Sequence, residues 1–113
     1  MLESVTTTAL TSALNGLSQR QRAIADNIAN VNTTGYLAKV VSFEAELAAS
    51  VRRGDGRVTA SVSESSDPTR LNGNNVNLDT ETLANIDTVL RYQFASQAVG
   101  GAFTSVQTAL RTS

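Results

Sequence analysis

The feature of this sequence that most constrains its fold is a regular spacing of apolar residues near the start. Six aliphatic side chains follow one another at steps of 4, 3, 7, 4 and 3 residues: Leu10, Leu14, Leu17, Ile24, Ile28 and Val31. Only Gln21 interrupts the series. Alternating steps of three and four residues place side chains on one side of an α-helix and are typical of coiled-coil seams. The spacing therefore predicts a long amphipathic helix over residues 8–32.

The end of this predicted helix is rich in asparagine. Asn27, Asn30 and Asn32 precede a turn at Gly35, a residue that can adopt positive φ. Asparagine side chains compete for backbone hydrogen bonds, so the cluster could simply terminate the helix. The residues themselves leave open whether the amides also have a specific partner.

A second long helix is predicted over residues 79–111. Asp79 can cap its start, Glu81 lies in its first turn, and Leu78 can pack on Leu83 as a hydrophobic staple. Its apolar residues form two stripes, enough for more than one neighbouring helix. The first stripe contains Leu83, Ile86 and Leu90, and the second contains Val89, Tyr92, Val99, Phe103, Val106 and Leu110.

Two adjacent glycines, Gly100 and Gly101, lie inside this second helix. Each costs about 1 kcal/mol relative to alanine in a helix interior, so their presence needs a compensating reason. They could mark a hinge, a close approach of another helix or a frayed stretch. We favour a close approach.

The segment between the helices, residues 33–78, is predicted to hold a short helix and a polar excursion. Ser42 can cap the helix FEAELAASVRR, which Gly54 ends. Residues 54–77 are polar, contain Pro68 and alternate only in VTASV, so we expect a partly mobile loop or weak hairpin. The expected fold is mainly α, with the two terminal helices paired as an antiparallel coiled-coil-like hairpin in one domain, residues 1–113.

Composition narrows the chemistry that is available to the chain. It has 113 residues and no cysteine or histidine, which removes thiol nucleophiles, imidazole bases and the commonest transition-metal ligands. Glu44 and Glu46 lie two residues apart and would face different directions on a helix. Neither GDG nor NGNNVNLD has the spacing of an EF-hand loop. We therefore expect no catalytic residue, no cofactor and no metal site.

Charge and hydropathy argue against two further classes of partner. The formal net charge is -1, and the one basic cluster, Arg52, Arg53 and Arg57, lacks interleaved aromatic residues that could stack on bases. No run of about 18 apolar residues and no signal-peptide pattern is present. The sequence predicts no nucleic-acid binding, no membrane insertion and no cleaved signal.

Two segments resemble one known family. Residues 13–36, ALNGLSQRQRAIADNIANVNTTGY, resemble the N-terminal signature of bacterial flagellar rod, hook and hook-associated proteins. Residues 73–97, GNNVNLDTETLANIDTVLRYQFASQ, resemble the C-terminal segment of the short proximal-rod members of that family. One position departs from the pattern: Thr34 replaces the usual proline, and threonine does not fix φ, so the turn is expected to be less rigid.

The resemblance implies a structural role in the proximal rod of the flagellar basal body, in the periplasm, after export without signal cleavage. It implies self-association and contacts with other rod subunits, with an adaptor protein at the rod base and with the membrane-ring and export-gate base. It also suggests that the asparagine amides are offered to an adjacent subunit, fixing register. The expected assembly interface comprises Leu14, Leu17, Ile24, Asn27, Ile28, Asn30, Asn32, Gly35, Tyr36, Tyr92, Val99, Phe103, Val106 and Leu110.

Two other functions are compatible with the residues alone. A soluble helical adaptor or secretion-partner binding module would recognise amphipathic helices through an exposed apolar stripe. An enzyme would have to use carboxylates without a recognisable pocket. The rod subunit is the function that the sequence favours.

Overall fold

The computed structural model of the chain describes residues 2–112, with side chains described for residues 5–101, 104 and 107–111. Five elements follow in order: α1 (Leu2–Ala29), β1 (Lys39–Ser42), α2 (Glu44–Arg52), β2 (Ser61–Glu64) and α3 (Leu78–Thr112). The first helix therefore begins earlier and ends earlier than the heptad spacing predicts. Both long terminal helices are present, and the mainly α prediction is confirmed.

The two long helices pack against each other in antiparallel directions. Asn27, near the end of α1, contacts Glu81 at the start of α3, whereas Leu17, further back on α1, shares a buried cluster with Ala95 further along α3. Beyond the first turn of α3, where Glu81 is buried, the buried residues in the described part of this helix are small: Thr88 and Ala95. Small residues allow the two backbones to approach closely, so the expected helical hairpin is confirmed.

The centre of the molecule is a small apolar core beside α1. Leu17 and Ala23 of α1, Val41 of β1 and Phe43 before α2 are all buried in one cluster with Ala95. Phe43 is the largest of these side chains, and it lies against Gly16, which leaves room for the ring because it has no side chain. The core thus joins both long helices to the central segment.

Two strands form a sheet that the sequence does not reveal. β1 pairs with β2 in antiparallel register, with Lys39 opposite Glu64 and Ser42 opposite Ser61. Because Ser42 belongs to a strand, it does not cap α2; that position is Phe43, which makes no side-chain capping bond. The expected cap was therefore wrong. Of VTASV, only Ser61 and Val62 belong to β2, where they pair with Ser42 and Val41 about twenty positions upstream.

The polar excursion is anchored at both ends. Gly56 adopts φ of 80°, and its carbonyl accepts a hydrogen bond of 2.9 Å from the Ser12 hydroxyl of α1. At the other end, Asn74, Asn75 and Val76 are buried, and the Asn74 side chain donates to the backbone just after α1. The segment therefore packs along the helix instead of standing away from it.

The start of α3 differs from the expected cap and staple. Asn77 precedes the helix, and its Oδ1 accepts a hydrogen bond of 3.2 Å from the Thr80 amide, so Asn77 rather than Asp79 is the cap. Leu78 and Leu83, which we expected to cover one another, are both exposed. Glu81 lies in the first turn as predicted, but it faces the interior.

Gly100 and Gly101 continue α3 without a neighbouring helix at hand. A Cβ atom placed at either glycine would meet no heavy atom within 4 Å beyond its own local helix. Among the described residues, the expected close approach is therefore not made within this chain, and an approach by a helix of another subunit stays a prediction. No helix among the described residues is long and apolar enough to cross a membrane.

Candidate assembly surface

The outer side of α3 carries a row of large apolar side chains that none of the described residues covers. Leu83, Ile86, Leu90 and Phe94 are between 54% and 77% exposed. Their spacing of three or four residues places them on one side of the helix, opposite Thr88 and Ala95, which face inward. We call these four residues the outer stripe.

The outer stripe arises because the two faces of α3 carry side chains of different size. Its inward positions hold small or hydrogen-bonded residues, whereas its bulky aliphatic and aromatic residues point to solvent. Fully burying such a side chain is favourable by about 1.5–3 kcal/mol, and soluble monomers seldom leave a contiguous row of them in water. The surface is therefore suited to packing against another helix.

The expected interface residues fall into two groups. Leu17 and Ile24 are buried inside this chain, and Leu14 is half-buried against the same core. Ile28, Tyr92 and Leu110 are exposed, and Val99 is half-buried. The side chains of Phe103 and Val106 lie outside the described residues. The assembly role of these residues stays a prediction.

The sequence did indicate part of the outer stripe. Leu83, Ile86 and Leu90 were recognised as one of two apolar stripes on α3, but not as the exposed one. Phe94 was missed, although it follows Leu90 by four residues and so continues the same row. Its spacing was the available signal.

Asn27 lies at the centre of a buried polar hub. Its side chain is fully buried, and its Nδ2 donates hydrogen bonds of 3.0 Å to the Lys39 carbonyl and to Glu81 Oε1. Its Oδ1 accepts from the Lys39 amide at 2.8 Å and from the Tyr36 hydroxyl at 3.3 Å. Within this fold Asn27 therefore binds its own chain, rather than offering its amide outward as expected, and it joins α1 to β1 and α3.

Glu81 is the acidic member of this hub. Its side chain is buried, and the loss of hydration raises the pKa of the carboxyl, while the hydrogen bond from Asn27 acts in the opposite direction. A carboxyl whose pKa is higher in the folded state than in the unfolded chain contributes most to stability when it is protonated. Burial of Glu81 therefore disfavours its charged form, and the hydrogen bond from Asn27 offsets part of that cost.

Residues near the C-terminal end of the polar excursion bind the backbone just after α1. Asn74 Nδ2 donates to the carbonyls of Asn30 and Thr33, both at 2.8 Å, and Arg70 donates to the Val31 carbonyl at 2.6 Å. Asn30, the residue after α1, donates from its Nδ2 back to the Asp26 carbonyl, and Asn32 is exposed. The carbonyls just after α1 are thus bound mainly by Arg70 and Asn74, about forty positions later in the sequence.

The turn after α1 brings two glycines together. Gly35 has φ of 75°, as its place in the turn requires, and its amide donates to the Asn72 carbonyl at 2.9 Å. A Cβ at Gly73 would lie 3.3 Å from the Gly35 Cα. Thr34 is exposed at this turn.

An ion-pair chain connects all three helices beside the core. Arg20 donates to both carboxylate oxygens of Glu44 at 2.6 and 2.7 Å, and Arg91 approaches the same carboxylate at 3.4 Å. The Arg20 guanidinium also lies 5.0 Å from the centre of the Phe43 ring. These hydrogen bonds from Arg20 lower the pKa of Glu44 to about 2.

Glu44→Gln is expected to change how stability depends on pH. A lowered carboxyl pKa stabilises the folded state above about pH 4.5, and this contribution is lost as the pH falls toward about 2. Because the pair is partly exposed, we expect a loss of about 1 kcal/mol at pH 7 and almost none near pH 2. Urea unfolding across that range measures it, with Glu46→Gln as the control. Equal losses at both pH values would contradict the role of the ion pair.

Comparison with known proteins identifies the class to which this architecture belongs. Residues 8–36, which include most of α1 and the turn after it, match the family described as flagella basal body rod protein. Similarity to members of this class extends over most of the chain, at identities of 30% and above. The chain belongs to the flagellar basal-body rod protein family.

The relatives share one name, flagellar basal body rod protein FlgB. The chain is 30% identical to FlgB of Escherichia coli (strain K12) over an alignment of 122 positions, gaps included, which covers 88% of each protein. It is 32% identical to FlgB of Bacillus subtilis (strain 168) over an alignment of 115 positions, which covers 89% of each. It is 32% identical to FlgB of Salmonella typhimurium over 110 residues, which cover 78% of this chain and 80% of that one.

Proposed function

We propose that this chain is a structural subunit of the flagellar basal-body rod, built into a shaft that carries motor torque. The outer stripe is the observation that supports this role most directly. Four large apolar side chains stay exposed along one side of a helix whose other side is already packed on α1. A second helix from a neighbouring subunit would complete their burial.

The mechanical role follows from how such contacts add. Apolar burial and dispersion accumulate over every residue in a helix interface, so stiffness comes from many small contributions rather than one strong site. The hub at Asn27 and the ion pairs of Glu44 hold α1, α2 and α3 together within the subunit. The subunit can therefore pass a load from one helix to the next. The role requires no catalysis, cofactor or metal.

The resemblance and the similarity to FlgB support finer parts of the proposal. The chain would lie in the proximal, periplasmic part of the rod, and would reach it by export without a cleaved signal. Its neighbours would be other rod subunits, the rod-base adaptor and the membrane-ring and export-gate base, with contacts to further copies of itself. A free-standing helical adaptor fits less well, because the similarity to rod proteins covers most of the chain.

Replacing two residues of the outer stripe tests the proposal. We expect Leu90→Gln with Phe94→Gln to leave the fold intact, because both side chains are exposed, but to abolish rod assembly and swimming in cells that carry it as their only copy. Val51→Gln, an exposed aliphatic residue on α2, is the matched control and should swim normally. Electron microscopy of basal bodies and circular dichroism of the purified chains give the two readouts.

The result that would contradict the proposal is normal rods and normal swimming in the double variant. A strain that lacks the chain altogether separates the alternative. A rod subunit leaves basal bodies without a complete rod, whereas a dispensable adaptor leaves the rod present.

A further inference from the structure

A turn after α2 carries three arginines that point to solvent. Arg52, Arg53 and Arg57 are exposed, and we call residues 52–57 the basic turn. The amides of Asp55 and Gly56 both donate to the Ser50 carbonyl, and the Ser50 hydroxyl donates to the Arg57 carbonyl at 3.0 Å. The backbone of the turn is therefore fixed, and Asp55 is its one acidic residue.

The basic turn lies beside the first part of α1. The Ser12 hydroxyl donates to the Gly56 carbonyl, and a Cβ on Gly56 would come within 2.8 Å of the Val5 carbonyl oxygen. The ion pairs found among the described residues involve Arg20, Lys39 and Arg91, and none includes an arginine of the basic turn. Its positive charge is available to a partner.

The opposite end of the chain is acidic on its outside. Glu64, Asp67 and Asp79 are exposed around the exit of α1 and the start of α3, and we call these three residues the acidic pole. None of them takes part in an ion pair within the described part of the chain.

The cationic side chains near the acidic pole already have hydrogen-bond or ion-pair partners within the chain. The Arg70 guanidinium donates to the Val76 and Val31 carbonyls, both at 2.6 Å, and is thereby drawn onto the backbone of the α1 exit. Lys39 pairs with Asp26 at 3.0 Å. The charges that face outward at this end are therefore mainly negative.

The two charged patches are too far apart to neutralise one another. The basic turn lies near residue 9 of α1 and the acidic pole near residue 30, a distance of about 30 Å at 1.5 Å per residue. The Debye length in physiological salt is about 8 Å, so each patch acts on its own surroundings. The molecule, 66 Å in its longest dimension, is electrically polar along its axis.

We propose that the basic turn of one copy of this chain binds the acidic pole of the next copy. The occupant follows from charge complementarity: three exposed arginines at one end match three exposed carboxylates at the other. Such a contact joins two different patches, so it repeats head to tail with a stagger of about 30 Å instead of closing into a dimer. The proposal rests on the proposed function, in which copies of the chain lie next to one another.

The contact would fix the alignment of one copy against the next more than it would add to the binding energy. Exposed ion pairs contribute little individually, but complementary patches speed encounter and disfavour partners of like charge. The helix termini oppose the pattern slightly, because the C-terminus of α2 and the N-terminus of α3 carry partial charges of the other sign. The basic turn keeps a net side-chain charge of +2 when Asp55 is counted, and this charge and the three carboxylates of the acidic pole each outweigh half a charge from a helix end.

Charge reversal with mixing provides the test. The first variant, Arg52→Glu with Arg53→Glu and Arg57→Glu, has two acidic patches, and the second, Glu64→Lys with Asp67→Lys and Asp79→Lys, has two basic patches. Sedimentation velocity of the full chain should show wild-type self-association at low salt that weakens about tenfold or more at high salt. Neither variant should associate alone, but an equimolar mixture should do so.

Controls separate this result from misfolding and from other partners. Glu46→Lys reverses an exposed acid away from the pole and should associate like the wild type. Circular dichroism checks that each variant is helical. A wild-type chain that stays monomeric at low salt, association that ignores salt, or a mixture that fails to associate would each overturn the proposal. Binding to anionic vesicles without self-association would overturn it in favour of a lipid partner.

These outcomes are distinct from failure of the proposed function. The mixing experiment measures association between purified copies of the chain, whereas the outer-stripe experiment measures rod assembly in cells. Loss of rods in the outer-stripe variant together with a mixture of charge variants that does not associate would remove only the charge contact.

Discussion

Asn27→Asp is expected to lower the free energy of unfolding by about 3–5 kcal/mol at pH 7. The substitution keeps the shape of the side chain but replaces its Nδ2 donor with a carboxylate oxygen. That oxygen would face two acceptors, the Lys39 carbonyl and Glu81 Oε1, which the amide now contacts at 3.0 Å. The other carboxylate oxygen would keep its hydrogen bonds from the Lys39 amide and the Tyr36 hydroxyl, but the oxygen that replaces Nδ2 would be buried without a donor. Urea unfolding followed by circular dichroism measures the loss.

The matched control for this prediction is Asn32→Asp, in the same asparagine-rich exit. Asn32 is exposed, so its change should fall within about 0.5 kcal/mol. Adding Glu81→Gln to Asn27→Asp should restore part of the stability, because the glutamine amide can donate to the new carboxylate. Equal losses from Asn27→Asp and Asn32→Asp would show that the buried hub does not stabilise the fold.

Gly16→Val is expected to cost about 3 kcal/mol, the upper end of the usual range for overpacking a core. A Cβ at Gly16 would lie 2.5 to 2.7 Å from three carbons of the Phe43 ring. The ring cannot easily withdraw, because Phe43 is buried in the core cluster and the Arg20 guanidinium lies over it. Either the ring or α1 must shift. Thermal unfolding and the spectrum of the aromatic side chains report the change.

Gly100→Val is the matched control, since it makes the same substitution in the interior of a helix. A Cβ at Gly100 would meet nothing within 4 Å, so only helix propensity changes, by about 0.5 kcal/mol or less. Combining Gly16→Val with Phe43→Leu should cost less than the two changes added together, because leucine leaves space for the new methyl groups. Additive costs would place the clash elsewhere.

The long helices could be predicted because their signal is local. A heptad spacing of apolar residues marks α1 within its own span, and two apolar stripes mark α3. Which stripe of α3 faces α1 is a different question. The structure places Thr88 and Ala95 inward and leaves Leu83, Ile86, Leu90 and Phe94 outside, because small residues let the helices approach. Hydropathy alone favours the larger side chains for the interior.

The sheet and the hub could not be predicted because their partners are distant in the sequence. β1 is only four residues long, and it pairs with a strand more than fifteen residues later. Asn27 looked like a helix terminator because asparagine is common at helix ends. Its role depends on Glu81, 54 residues further along, and on the Lys39 backbone. A single position gives no sign of such a partner.

The span of the Asn27–Glu81 bond has a consequence for how the subunit matures. Loop closure over so many residues is slow relative to helix formation, and the bond needs both ends of the chain. A nascent or truncated polypeptide that stops short of Glu81 leaves a buried amide without its carboxylate and α1 without its main covering helix. Completion of the chain is therefore what converts a loose N-terminal helix into a load-bearing part, and incomplete products are left open to proteases.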